Sequence, residues 1–254
     1  MTSHTYLELG PDVIEDEHIC CAFADPKSIV GYAAKKRWLA DQYRWGYRFR
    51  RLDARGKVFI EYVPAEHAWL PIDAPDAMVV GCFWVSGRFK GQGHGRALLE
   101  HVVREATQAG RTGVVAVTGD RKRPFMSDPG FFAKHGFVRV DQAPPFFHLW
   151  WRAIRPDAPA PRFLDSARAG RIEGSRGIEA YYSNTCPFTE HWAGVVLPAF
   201  AEEAGVPCRV RRIETREQAR ALPIPWVIHA VFYDGEFVTL EMDSVKRLRE
   251  VAGA

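Results

Sequence analysis

The sequence predicts an α/β (α+β) protein made of two mixed-sheet domains, and three observations carry the prediction. The run Cys82 to Leu99 reads as a strand, a glycine-rich basic turn and a helix. Strand-like and helix-like periods alternate on both sides of that run. Between Arg155 and Gly177, Pro156, Pro159, Pro161, Gly170, Gly174 and Gly177 accumulate with few large apolar residues and no sustained period. Residues 155–176 are therefore expected to be a linker, with one domain over 1–154 and a second over 177–254.

In the first domain, Ile29, Tyr32, Ala33, Leu39, Ala40 and Tyr43 recur at helical spacing, and Gly46 closes the pattern. Two strands, Tyr47 to Leu52 and Lys57 to Val63, form a hairpin through Ala54-Arg55-Gly56, and a proline-spaced segment then leads into the strand Met78 to Ser86. Leu98, Leu99, Val102, Val103 and Ala106 place an apolar stripe on one helix face, and Gly110 stops it. The run Val114 to Thr118 is a strand, Asp128 to His135 a short helix, Phe137 to Val140 a strand, and Phe146 to Arg152 an aromatic strand serving core and domain interface. The second domain reads βαβαββα: strands Ile178 to Ser183, Cys208 to Glu214, Trp226 to Tyr233 and Glu236 to Met242, and helices Thr189 to Ala204, Thr215 to Leu222 and Asp243 to Val251.

With 254 residues, 47% of them hydrophobic, the chain can bury a sizeable core, and a net charge of +3 is too small to mark a general nucleic-acid binder. Residues Met1 to Gly10 lack a basic start followed by an apolar stretch, and no apolar run approaches ~18 residues, so the expected compartment is the cytoplasm and no membrane partner is expected. Five cysteines, odd in number and scattered, suit reduced thiols.

The turn Lys90-Gly91-Gln92-Gly93-His94-Gly95-Arg96 leaves consecutive backbone N–H groups bare at the start of a helix, which makes a cradle for an anion. With the preceding strand, the following Ala97-Leu98-Leu99 helix and the later Phe131 to Phe137 element, it resembles the pyrophosphate-binding signature of the GNAT superfamily of N-acyltransferases. Lys90 stands where that family prefers Arg or Gln, keeping the charge and losing the planar fork. His18 to Phe23, Arg55 to Pro64, Cys82 to Gly87, Cys186-Pro187-Phe188 and Glu214 to Gln218 are similar to YoaP-like bacterial acetyltransferases, which join a GNAT domain to a small thioredoxin-like domain. The resemblance implies acetyl-CoA as co-substrate, held by Lys90 to Arg96 and by the backbone of Phe83, Trp84 and Val85. It further implies transfer of acetyl to a primary amine of a small molecule.

The tyrosine that serves many family members as acid falls at Phe132 here. Ser127 or His135 would then take over, or the thiolate would leave to water unaided, or the donor is another acyl carrier such as an aminoacyl-tRNA. Glu61, alternating with apolar neighbours on its strand, is the candidate base, its pKa raised by burial; the alternative is a structural carboxylate paired with Lys57 or Arg55. Cys82 is expected to pack as a small hydrophobe. His18-x-Cys20-Cys21 lacks the second ligand pair of a closed zinc site, so no metal is expected. Cys186 opens a helix where N–H groups would favour its thiolate, and Thr189 in place of a second cysteine rules out dithiol exchange there, leaving monothiol chemistry, thiol recognition or a scaffold. Arg121-Lys122-Arg123 is either a solvated surface or a contact to coenzyme or RNA phosphate.

Overall fold

The computed structural model describes residues 4–242 and 245–253. In chain order the first domain comprises β1 (Tyr6–Leu9), α1 (Ile29–Gln42), β2 (Arg48–Leu52), β3 (Val58–Pro64), β4 (Ile72–Asp73), β5 (Met78–Val85), α2 (His94–Gln108), β6 (Gly113–Gly119), α3 (Pro129–Lys134), β7 (Val138–Ala143) and β8 (Phe147–Ala153). A short β9 (Arg162–Phe163) leads to β10 (Ile178–Ser183), α4 (Thr189–His191), α5 (Leu197–Ala204), β11 (Cys208–Ile213), α6 (Arg216–Arg220), β12 (His229–Tyr233), β13 (Glu236–Thr239) and α7 (Val245–Ala252). The helix expected from Asp243 is seen from Val245; Asp243 and Ser244 lie outside the described residues, as do Met1 to Ser3 and Ala254.

Among the described residues the first sheet has seven strands in the order β1-β2-β3-β5-β6-β8-β7, and the second has four in the order β11-β10-β12-β13. Both sheets are mixed, with β5–β6 and β10–β11 the parallel pairs. The apolar stripe of α2 works as expected: Leu98, Leu99 and Val102 are fully buried against Ile60, Tyr62 and Val114 on one face of the first sheet. Each such side chain contributes roughly 1.5–3 kcal/mol.

On the opposite face, α1 departs from its expected orientation. Ile29 and Val30 are 68% and 70% exposed, whereas Gly31, Ala34, Lys35 and Leu39 face inward. Gly31, Lys35 and Leu39 are four residues apart, and Gly31 lets α1 approach another backbone: a Cβ there would lie 2.0 Å from the Pro187 carbonyl oxygen. Close backbone packing, which hydrophobicity does not report, therefore rotates the helix.

The expected linker is packed rather than loose. β9 pairs antiparallel with β4, and Phe163 and Ala167 are fully buried. A single apolar core joins Leu39, Phe59 and Phe147 of the first domain to Trp226 and Phe232 of the second. Phe147 stacks on Trp226, and Arg220 donates to the Ile72 carbonyl at 2.8 Å. No helix among the described residues is long and apolar enough to cross a membrane.

Candidate active site

The glycine-rich turn takes the predicted form. Gly91 and Gly93 have φ of 77° and 83°, a region L-residues enter only at a cost, and Gly93 caps α2. The first N–H near the start of α2 with a backbone partner is that of Ala97, on Gly93 O at 3.0 Å, so the N–H groups of Gly91 to Arg96 stay bare. Arg88, Lys90 and Arg96 are exposed, and none forms an ion pair among the described residues. Bare amides and cations without ion pairs among the described residues together suit an anionic group. The His94 ring turns inward instead, buried and 2.8 Å from the Tyr6 hydroxyl, so this residue offers only its backbone.

Beyond the turn the sheet opens. β5 and β6 pair only from Met78–Val114 to Val80–Ala116, after which β5 continues on β3 and β6 continues on β8. In the β3–β5 ladder, Ile60 faces Phe83 and Tyr62 faces Val80, so Gly81 and Cys82 bulge opposite Glu61. The split strands expose the edge of Phe83, Trp84 and Val85. Phe83 sits in the α2-side core against Phe131 and Phe132, while Trp84 is 39% exposed on the other face.

Glu61 is 1% exposed, and its partner is neither Lys57 nor Arg55. The Lys35 ammonium from α1 donates to one of its oxygens and the Tyr47 hydroxyl to the other at 2.7 Å. Burial works against the charge on Lys35, but the adjoining Glu61 carboxylate outweighs it and holds Lys35 above the ordinary lysine value. Burial followed by the same carboxylate pushes Tyr47 well above its ordinary value. The expectation of a lone buried carboxylate is thus corrected: α1 delivers the counter-charge that burial requires.

A cavity of about 380 Å³ lies where the β5–β6 opening, α1 and the second domain meet. Glu61, Gly81, Trp84 and Ser127 line it from the first domain, and Cys186, Phe188 and Trp226 from the second. Phe132, by contrast, is 1% exposed in the aromatic core, so the missing acid is not recovered at that position. Of the readings open for Cys186, the thiolate favoured by a helix start has burial against it: burial pushes the thiol well above its ordinary value, although α4 runs without a break through a π-helical stretch, Trp192–Val196, into α5, as the expected helix Thr189 to Ala204 does. Burial likewise pushes Cys20 up to about 12. All five cysteines are free. Arg123 of the basic triplet is engaged by Asp120 and lies 3.6 Å over the Phe146 ring.

Residues 3–137 match the Acetyltransferase (GNAT) family, and residues 207–249 match the YoaP-like family. The chain is 38% identical over 248 residues to the uncharacterized N-acetyltransferase YoaP of Bacillus subtilis, with 97% of each chain covered. The chain belongs to the GNAT family of N-acetyltransferases. Similar solved structures include the GNAT acetyltransferase YhbS of Escherichia coli in complex with CoA, 14% identical with TM-score 0.41 over 64% of this chain and 90% of that one. Another is Ard1 of Thermoplasma volcanium, 20% identical with TM-score 0.42 over 59% of this chain and 97% of that one.

In this GNAT domain the structure brings Glu61, Ser127, Phe83 and Trp84 to one cavity, and Lys90 to Arg96 to the turn at the start of α2. Residues that sequence reasoning missed are Lys35 and Tyr47, the holders of Glu61, and Trp38, Trp69 and Trp226 of the cavity wall. The spacing of Gly31, Lys35 and Leu39 was a readable signal for Lys35, since a lysine on the same face as a buried leucine needs a buried partner. Among the described residues, Glu8, His101 and Glu105 bring ligand atoms within 4.8 Å, but Glu8 already pairs with Arg48 at 3.2 Å and Glu105 accepts from Tyr62 at 2.6 Å.

Proposed function

We propose that this N-acetyltransferase carries acetyl from acetyl-CoA to a primary amine of a small molecule held in the cavity. The observation that supports this most is the succession of three features along β5: a cavity with a buried carboxylate on its wall, the split between β5 and β6, and, after Val85, the bare-amide turn. Lys90 and the amides of Gly91, Gln92, Gly93, His94, Gly95 and Arg96 would hold the pyrophosphate, and the free edge of Phe83, Trp84 and Val85 would bind the pantetheine arm. Bound acetyl-CoA supplies an activated thioester, whose carbon–sulfur bond is exchanged for a carbon–nitrogen bond.

Glu61 accepts the proton that the amine nitrogen loses as it bonds to the acetyl carbon. Lys35 and Tyr47 fix the carboxylate in place, so no reorientation is needed at the moment of transfer. Ser127, partly exposed on the same cavity, donates to the departing thiolate in place of the absent tyrosine.

Steady-state kinetics and calorimetry on Glu61→Gln test the assignment. A fall in kcat of at least about a hundredfold with unchanged acetyl-CoA affinity is expected. Because that change strands Lys35 in the interior, Lys35→Met/Glu61→Gln serves as control: it should recover stability but not rate. Full activity in either variant would remove Glu61 from the chemistry. Activity that needs tRNA and collapses with added salt would instead favour an aminoacyl-tRNA donor.

A further inference from the structure

Resting on the acetyl-transfer reading above, we infer that the second domain is the outer wall of the acceptor pocket and that the acceptor is an amine borne on a flat, apolar, ring-sized body. The cavity walls are aromatic from both domains: Trp38, Trp69, Trp84 and Phe125 on one side, Phe188 and Trp226 on the other. Trp38 meets Trp69 edge-on with ring centroids 5.5 Å apart, so the two indoles brace each other on the cavity wall. Phe125 is held at φ 61°, an unusual conformation for a bulky residue, at the cavity margin.

The charges select in the same direction. Glu61 is already matched by Lys35, and Lys57, also on the wall, forms no ion pair among the described residues. An ammonium-rich ligand such as a polyamine would therefore find, beyond the one paired carboxylate of Glu61, no second carboxylate on the wall to match its further charges. A ring amine that arrives with a single nitrogen, and sheds its proton to become the nucleophile, meets aromatic faces instead.

The second domain is a fixed part of this wall. Gly31 of α1 packs on the Pro187 carbonyl, between Cys186 and Phe188, and Trp226 is stacked on Phe147 of β8. Cys186 is then a neutral wall atom rather than a redox centre, because a thiol kept protonated in this setting is a weak nucleophile.

Calorimetry of the full chain with tryptamine and with spermidine, each in the presence of CoA, tests the inference, together with steady-state kinetics. Tryptamine is expected to bind at least tenfold more tightly than spermidine. Phe188→Ala, which removes a wall ring away from Glu61, should raise the KM for tryptamine about tenfold, with kcat reduced less than threefold and acetyl-CoA affinity unchanged. Equal or tighter binding of spermidine overturns the acceptor class. An acetyl-CoA affinity that falls as much as the tryptamine affinity overturns the wall assignment. Wild-type protein that binds tryptamine but not acetyl-CoA leaves the wall standing and overturns the donor reading alone.

Discussion

The chain starts two helices at positions where its sequence suggests chemistry, and they behave in opposite ways. At α2 the amides of Gly91 to Arg96 point from a surface turn beside unpaired Arg88, Lys90 and Arg96. At α4 the helix start is enclosed: the Thr189 amide donates to the Cys186 carbonyl at 3.5 Å, the Thr189 hydroxyl lies 2.9 and 2.7 Å from the Ser183 and Cys186 carbonyls, and the helix runs on through a π-helical stretch, Trp192–Val196, into α5. A helix start offers its partial positive charge to a ligand only while its amides are bare and the site can admit an anion. Inside the molecule, the desolvation of a thiolate outweighs the few tenths to one kcal/mol that the helix end supplies.

Four outcomes break or sharpen this contrast. The largest is expected from Gly93→Val, which forces a β-branched residue into φ 83° and closes the turn at α2. Acetyl-CoA binding measured by calorimetry should weaken at least about a hundredfold while the thermal transition moves only a few degrees. Unchanged affinity would mean that the bare amides hold something else.

Next comes the desolvated side of the contrast, read through His229 of β12, which is fully buried and whose pKa is lowered by burial to about 3. An unfolded histidine binds its proton near pH 6.5, so between that pH and about 3 the unfolded chain holds the extra proton. Stability is therefore complete above about pH 6.5 and is lost as the pH falls, by about 2 kcal/mol at pH 5. In denaturant titrations the stability of wild type should fall between about pH 6.5 and 5, and that of His229→Gln should change less over the same range.

A third, smaller effect concerns Cys186 directly. Its alkylation by iodoacetamide at pH 8 in a Cys208→Ser background should run at least tenfold slower than in the unfolded chain, with the inflection of the pH–rate profile above that of a free thiol. A fast reaction at neutral pH would restore the thiolate reading of α4. The smallest effect is that of Lys90→Gln: severalfold weaker acetyl-CoA binding and a shallower salt dependence, since the amides would still do most of the holding.

Legibility followed the range of the interactions. The helical stripe of α2, the strand Met78 to Ser86, the turn chemistry around Gly93 and the βαβαββα order of the second domain all rest on contacts within a few residues, and the structure shows each of them. β1 escaped notice because its four residues are too few for a period. The β12 expectation began three residues early, at Trp226, because Trp226, Val227 and Ile228 are apolar for the sake of the cavity rather than the ladder.

Glu61 was singled out from alternation along β3, yet its real partners could not be. Lys35 lies 26 positions earlier in sequence and Tyr47 lies 14, and only the packing of α1 over β3 brings them together. The sequence by itself determined the glycine-rich turn at the start of α2, the order of the second domain's strands and helices and the phenylalanine at position 132, since these depend on residue type and short spacing. Tertiary structure alone decided that Glu61 is ion-paired, that burial raises the Cys186 thiol, and that Phe188 and Trp226 cross from one domain to wall the other's cavity. Desolvation and contact across the chain set those outcomes, and neither is written in any local pattern.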